Sequence, residues 1–200
     1  EREGRAALYK TRREQRGGFD IWLGYDNNNS QWDSWIHGHD AEGNEVDHYR
    51  LPDFETDALT DLMIDYIRMR GETEEPQPFF ASLSVQPPHD PYVAPAEWMQ
   101  MHNAGGLQLR ENVPNVPRVL DKARRELSGY YAQIENLDWN VGRIRTALEE
   151  AGLADDTHIM FFSDHGDMHG SHGQFRKMTP HEEAIRIPFI LGGCRDKYNG

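Results

Sequence analysis

The sequence is poor in cysteine and in positive charge, and both shortages limit what the protein can be. One cysteine in 200 residues excludes an internal disulfide framework. Lysine and arginine number 21 against 34 aspartates and glutamates, and the resulting net charge of −13 argues against a nucleic-acid partner, whose phosphates require a basic surface. No apolar run is long enough to span a membrane and no signal-peptide pattern is present, so the compartment stays undecided.

The remaining composition suits one folded domain. Hydrophobic residues make up 37% of the chain, which is enough for a core, while a mean hydropathy of −0.83 implies a large wetted surface. We divide the chain into a basic leader at residues 1–17, a loop-rich segment at 18–55 and an α/β core at 56–192. The leader is expected to be a solvated helix or a frayed end.

The loop-rich segment concentrates aromatic, histidine and amide side chains. They are Trp22, Tyr25, Asn27, Asn28, Asn29, Trp32, Trp35, His37 and His39. Such a mixture suits recognition of a sugar or an aryl group. Packing of a long surface loop is the alternative, and we prefer it because tryptophan is usually largely buried.

A short apolar run at residues 159–162 ends abruptly in polar residues that can do chemistry. The run reads as a buried strand, and Asp164, His165 and the flexible Gly166 follow it. An oxygen ligand beside a nitrogen ligand suits a divalent cation or an acid/base pair. A capping aspartate next to a surface histidine is the alternative.

A second predicted strand covers residues 79–85, and the paired prolines after it end the strand just before His89. Amphipathic helices are predicted before and after it. The first has Thr56 as its cap, Gly71 as its end and apolar positions at Leu59, Leu62, Met63, Tyr66 and Ile67. The second has Gly152 as its end and apolar positions at Tyr130, Ile134, Leu137, Val141, Ile144 and Leu148, after an extended connector in which Pro114 and Pro117 block helix.

The order helix, strand, helix, strand is the pattern of a βαβ crossover. We therefore expect an α/β fold with a mostly parallel sheet flanked by helices. Because ligands in such sheets bind at the carboxyl ends of the strands, His89, Asp164 and His165 are predicted to share one pocket.

A polar loop at residues 173–181 follows the Asp-His pair and leads to a short predicted strand at 187–191. Its Lys177, in a loop that returns past the strand edge, is predicted to join the same pocket and to offer a positive charge to an anionic substrate oxygen, although a solvated lysine is the alternative. His169, His172 and His181 fit no helix-borne zinc motif, so we interpret them as loop residues.

Several segments in one order resemble the carboxyl-terminal part of the sulfatase catalytic domain, in the alkaline phosphatase superfamily. They are Gly18-Phe19-Asp20, Pro87-Pro88-His89-Asp90-Pro91-Tyr92, Gly129-Tyr130-Tyr131-Ala132, Leu137-Asp138-Trp139-Asn140-Val141-Gly142, Phe162-Ser163-Asp164-His165-Gly166-Asp167-Met168, Gly170-Ser171-His172-Gly173, Lys177, Glu182 and Arg186-Ile187-Pro188. Together they extend from residue 18 to residue 191. An alkaline phosphatase-like sandwich is the fold that this resemblance implies.

The resemblance also implies chemistry. The family hydrolyses sulfate esters, here a small-molecule or glycan ester, by attack of a formylglycine hydrate beside a divalent metal, with Ca²⁺ first and Mg²⁺ or Mn²⁺ as alternatives. Asp164 and His165 match two metal ligands of the family. Lys177 matches a lysine that contacts the sulfate and the ester oxygen, and His89 a histidine that binds the ester and protonates the leaving group. The resemblance leaves the oligomeric state open.

The chain also departs from the family pattern. It has no Cys-x-Pro-Ser-Arg, no preceding aspartate pair and no Lys-Trp-His segment, and its one cysteine, Cys194, follows the last predicted strand. We therefore expect an incomplete fragment that is inactive alone or binds metal weakly, with the formylglycine in a missing amino-terminal part. Two alternatives stay open: a phosphodiester or phosphonate monoester hydrolase of the same superfamily, and a non-catalytic binding module.

Overall fold

The computed structural model describes residues 8–74 and 77–194, which form two small sheets and four α-helices. One sheet joins β1 (Trp22–Gly24), β2 (Trp35–His39) and β3 (Glu45–Arg50), and the other pairs β4 (His158–Phe162) with β5 (Phe189–Gly193). The helices are α1 (Glu55–Gly71), α2 (Ala96–Met99), α3 (Pro117–Glu150) and α4 (Glu182–Ile185). None of the described helices is long and apolar enough to cross a membrane.

The predicted mixture of helices and strands is confirmed, but the predicted parallel pairing is wrong for the described residues. Both sheets are antiparallel, and β4 runs from His158 opposite Gly193 to Phe162 opposite Phe189. Residues 79–85 form no strand and pair with none that the structure describes. The side chains of Phe79, Leu83 and Val85 pack instead against the clusters that involve α1. An apolar pattern indicates that the side chains of a segment are buried. It does not indicate which backbone lies beside the segment, and strand pairing depends on that neighbour.

The strand β4 is only half-buried, which corrects the expectation of a buried strand. Met160 is 55% exposed and Phe162 is 59% exposed, because alternate residues of a strand point to opposite faces. The other face borders a cavity of about 930 Å³ between α3 and the β4–β5 sheet. Ile134, Leu137 and Val141, from the predicted apolar stripe of α3, line the same cavity. This part of the stripe therefore faces the cavity, whereas Ile144 and Leu148 pack in a core cluster with α1.

The interface between α1 and α3 combines an apolar cluster, which includes Ile67 and Leu148, with buried polar contacts. Asn136 and Asn140 of α3 are buried, and their amide groups donate to Oδ1 of Asp57 in α1 at 2.8 and 2.6 Å. Arg143 pairs with Asp61 one turn further along both helices. Because a buried amide needs a partner, these contacts fix the register of the two helices.

Glycines end both long helices as predicted, but the starts differ. Gly71 is the last residue of α1, and Gly152 follows α3 with a φ of +70°, where a side chain would be strained. Thr56 lies inside α1, which begins after Phe54. Pro117 opens α3 instead of blocking it, since the first helical position needs no amide donor.

The segment predicted as a loop contains the three-stranded sheet. His37 and His39 of β2 are 0% and 1% exposed, so these two histidines pack and do not face solvent. The described part of the leader packs against this sheet: Arg16 is 4% exposed and its guanidinium donates to both oxygens of Glu45 at 2.9 and 2.8 Å. A bidentate ion pair explains why Arg16 is not solvated as expected. Residues 1–7 and the polar tail after Cys194 lie outside the described residues.

Candidate active site

The loop that carries His89 is held against α3. The side-chain amide of Gln133 lies within 3.3 Å of the carbonyl oxygens of His89, Pro91 and Val93. Gly129 permits this contact, because a Cβ at that position would lie 2.1 Å from the carbonyl oxygen of Tyr92. The glycine and the glutamine together position the backbone on which the histidine stands.

Hydrogen bonds determine how the His89 ring is protonated. Its Nδ1 lies 2.7 Å from the carbonyl oxygen of Asp90, which can only accept, so Nδ1 carries the proton. Nε2 of the neutral ring then holds a lone pair, and the ammonium group of Lys177 donates to it at 2.9 Å. The structure thus brings together two of the residues that the sequence assigned to one pocket.

Asp164 and His165 follow β4 and present their ligand atoms to the same region. Nδ1 of His165 donates to the carbonyl oxygen of Gly166 at 2.8 Å, which leaves Nε2 free to accept, and Nε2 lies 3.5 Å from Oδ2 of Asp164. A Cβ at Gly166 would lie 2.1 Å from the carbonyl oxygen of Glu183, so the turn needs glycine for close packing on α4. The rings of His89 and His165 are 6.5 Å apart. All four predicted site residues therefore lie around one region.

These donors fit part of a cation site. The Asp164 side chain is 83% exposed, and because Nδ1 of His165 bonds to Gly166, Nε2 is the ring atom that could bind a cation. Within residues 8–74 and 77–194, however, no three histidine, cysteine, aspartate or glutamate side chains are grouped so that they could hold a metal. A Ca²⁺ ion takes six to eight oxygen ligands, so two protein ligands would hold it only weakly.

Three residues beside the site were not singled out from the sequence as functional. Oδ2 of Asp167 accepts from the hydroxyl of Tyr92 at 2.6 Å, and Arg176 donates to the same hydroxyl at 3.0 Å. Burial raises the pKa of Tyr92, and the neighbouring Asp167 raises it further, so the phenol stays a donor. Burial acts to raise the pKa of Asp167, but His169, the Tyr92 hydroxyl and two backbone amides lower it below its usual range. Tyr92 and Asp167 belong to the quoted motifs, which was the one signal in the sequence that could have identified them.

His169 lies behind this group and is 4% exposed. Its ring packs on Tyr130 and Tyr92, with centroids 4.4 and 5.1 Å away. Burial lowers its pKa to about 4, so the ring is neutral at neutral pH. His172 and His181 stack on each other in the same loop region, 4.4 Å apart.

Known proteins resemble this chain over most of its length. The ulvan-active sulfatase of Formosa agariphila is 29% identical over 188 residues, which are 90% of this chain and 34% of that protein. The arylsulfatase of Clostridium perfringens is 31% identical over 153 residues, which are 68% of this chain and 31% of that protein. The chain thus spans about a third of the length of these relatives.

The fold agrees with a solved relative. The crystal structure of yidJ from Bacteroides fragilis superposes with a TM-score of 0.80 and 30% identity over 91% of this chain and 40% of that one. This similarity shows an alkaline phosphatase-like fold, of which the described residues form part. The family profile described as Sulfatase matches residues 5–195, and the chain therefore belongs to the sulfatase family.

Proposed function

We propose that these residues form part of the catalytic domain of a hydrolase that cleaves a sulfate ester. His89 and Lys177 bind the ester, and Asp164 and His165 are ligands of a divalent metal. The observation that carries the proposal is the 2.9 Å contact between Lys177 and His89 beside the Asp164-His165 pair. A cation, a neutral imidazole and two ligand atoms together suit an anion that must lose an alcohol.

Lys177 and His89 have different roles in the proposed reaction. The ammonium group of Lys177 attracts the sulfate oxygens and stabilises negative charge as it grows on them. Nε2 of His89 takes a proton from that ammonium and passes it to the departing ester oxygen, so that Lys177 ends the step as the neutral amine. The Asp90 carbonyl holds Nδ1, so that the proton is delivered from Nε2 alone.

Two groups would complete the site. A metal held partly by Asp164 and His165, with Ca²⁺ first and Mg²⁺ or Mn²⁺ as alternatives, would offset charge on the sulfate group. A hydrated formylglycine from outside these 200 residues would supply the attacking oxygen. On this proposal the 200 residues alone lack turnover.

The substrate class follows from relatives of the chain. Their names include an ulvan-active sulfatase and an endo-4-O-sulfatase that is 27% identical over 192 residues. We therefore propose a sulfated glycan or a small-molecule sulfate ester as the substrate.

Turnover by the longer polypeptide that contains these residues tests the proposal. Its upstream coding sequence should hold a Cys-x-Pro-Ser-Arg segment, and the protein should hydrolyse 4-nitrophenyl sulfate faster than a phosphodiester or phosphonate monoester. Dominant phosphonate or phosphodiester hydrolysis would favour the other branch of the superfamily. An upstream sequence without the nucleophile segment would favour a non-catalytic binding module.

A further inference from the structure

The carboxylate of Asp167 joins three backbone segments around the site. Its Oδ1 accepts from the backbone amides of His169 and Arg176 at 3.0 and 3.1 Å, and its Oδ2 accepts from Tyr92 at 2.6 Å. The Asp167 side chain is only 12% exposed, so these bonds form largely away from water. Hydrogen bonds to a charged, partly buried acceptor are among the stronger ones in proteins.

Arg176 links the same segments through its side chain. One guanidinium nitrogen donates to the Tyr92 hydroxyl at 3.0 Å and to Glu126 of α3 at 3.1 Å, and the other lies 3.4 Å from Oδ2 of Asp90. The guanidinium also lies over the Tyr92 ring, 5.1 Å from its centroid. Arg176 has a φ of +72°, a conformation that a residue with a side chain adopts only when its surroundings hold it there.

Two of the residues that make these contacts are sequence neighbours of His89 and Lys177, which are proposed to bind the ester. Asp90 follows His89, and Arg176 precedes Lys177. The ion pair between Asp90 and Arg176 therefore spans the same gap as the contact between His89 and Lys177. The Arg176 guanidinium contacts Asp90, Glu126 and the Tyr92 hydroxyl. The cation that contacts His89 is the ammonium group of Lys177.

We propose that Tyr92 and Arg176 are positioning residues, which together with Asp167 form a latch that fixes Nε2 of His89 against the ammonium group of Lys177. The inference rests on the proposed function only for its consequence, which is sulfate-ester binding. The latch acts through the histidine and the lysine and does not touch the ester itself.

The test uses Tyr92→Phe, which removes one hydroxyl and keeps the ring and the charge. Nitrogen-15 NMR of histidine-labelled chain at fixed neutral pH, with EDTA present, reports which nitrogen of His89 carries the proton. The wild-type chain should show protonated Nδ1 and unprotonated Nε2, whereas Tyr92→Phe should show both tautomers. The matched control is Tyr130→Phe, because its ring also packs on His169 while, among the described residues, its hydroxyl makes no hydrogen bond to Asp167.

Binding of inorganic sulfate, followed by chemical-shift titration, gives the second measurement. Tyr92→Phe should weaken sulfate binding by about fivefold, because misplacing the His89–Lys177 pair should cost about as much as one hydrogen bond, and Tyr130→Phe should change it by less than about twofold. Arg176→Lys keeps the charge but lacks the planar fork, so it should reproduce the defect of Tyr92→Phe.

The two readouts separate the two ideas. A wild-type His89 spectrum in both Tyr92→Phe and Arg176→Lys rejects the latch. Wild-type chain that shows the expected tautomer but binds no sulfate leaves the latch standing and counts against the proposed function. Equal tautomer mixtures in Tyr92→Phe and Tyr130→Phe mean that general loosening, and not the latch, is responsible.

Discussion

The ammonium group of Lys177 lies 2.9 Å from Nε2 of His89, although 88 positions separate the two residues. This contact places a cation and a neutral base side by side at a half-buried site. Such a pair suits the cleavage of an anionic ester. The ammonium group stabilises negative charge on the ester, and the imidazole transfers a proton to the leaving group.

Replacing Lys177 by alanine should weaken the binding of inorganic sulfate by about tenfold, the effect of losing one charge-assisted hydrogen bond. Chemical-shift titration of the chain with sulfate measures it. Lys10→Ala removes the same charge from a lysine that pairs with Asp47, far along the chain from the site, and should leave the affinity unchanged. Equal losses in both variants would mean that only net charge matters.

The sequence predicted that His89, Asp164, His165 and Lys177 converge, and the structure brings them together by a different route from the one expected. The argument relied on parallel strands. In the part of the chain that the structure describes, however, the segment 79–85 pairs with no strand, and β4 pairs antiparallel with β5. The approach of α3 at Gly129 and Gln133 holds the His89 loop instead. Close backbone packing of this kind leaves no periodic signal in a sequence.

The hydrogen-bond partners in the polar networks could not be predicted from the sequence either. Asp167 lies between two predicted site residues, but nothing in the pattern indicates that Tyr92, 75 positions earlier, donates to it. Likewise the apolar spacing of the second helix does not indicate that Asn136 and Asn140 are buried against Asp57. Helix ends were predictable because Gly71 and Gly152 act locally.

Replacing Asp164 by asparagine should weaken the binding of Mn²⁺, used as a probe for the metal, by at least about tenfold. The carboxylate is one of the two ligands that we propose, and an amide carries no charge. Calorimetric titration of the chain measures this. Asp155→Asn, at an exposed turn before β4, is the control and should bind Mn²⁺ as the unchanged chain does. Wild-type affinity in Asp164→Asn would remove Asp164 from the proposed ligand set.

Replacing Glu55 by glutamine should destabilise the fold by about 1–3 kcal/mol. Glu55 is 0% exposed, and its carboxylate accepts from Tyr25, Asn28 and Ser34 and from the backbone amide of Gln86. A glutamine would place a donor where other donors already point.

Urea unfolding compares this variant with Glu97→Gln, an exposed glutamate in α2 that should change the free energy of unfolding by less than about 0.5 kcal/mol. If both variants unfold at the wild-type urea concentration, the Glu55 network contributes little to stability.

Acid should destabilise the protein through His169. The folded-state pKa of His169 is about 4, set first by burial, with Asp167 opposing and Arg110 and Arg176 adding to the decrease. The unfolded chain titrates near 6.5, so between these two values the unfolded state binds the extra proton. Stability is then full above about pH 6.5 and falls by up to about 1.4 kcal/mol per pH unit towards pH 4.

His169→Leu removes the titrating group while filling the space between the tyrosine rings with an apolar side chain. Urea unfolding at pH 7, 6 and 5 should therefore give a shallower loss of stability for His169→Leu than for the wild-type chain. His172→Leu alters an imidazole that is 44% exposed, and it should keep the wild-type dependence on pH. Parallel curves for all three proteins would show that protonation of His169 does not oppose folding, and that the acid sensitivity arises at other groups.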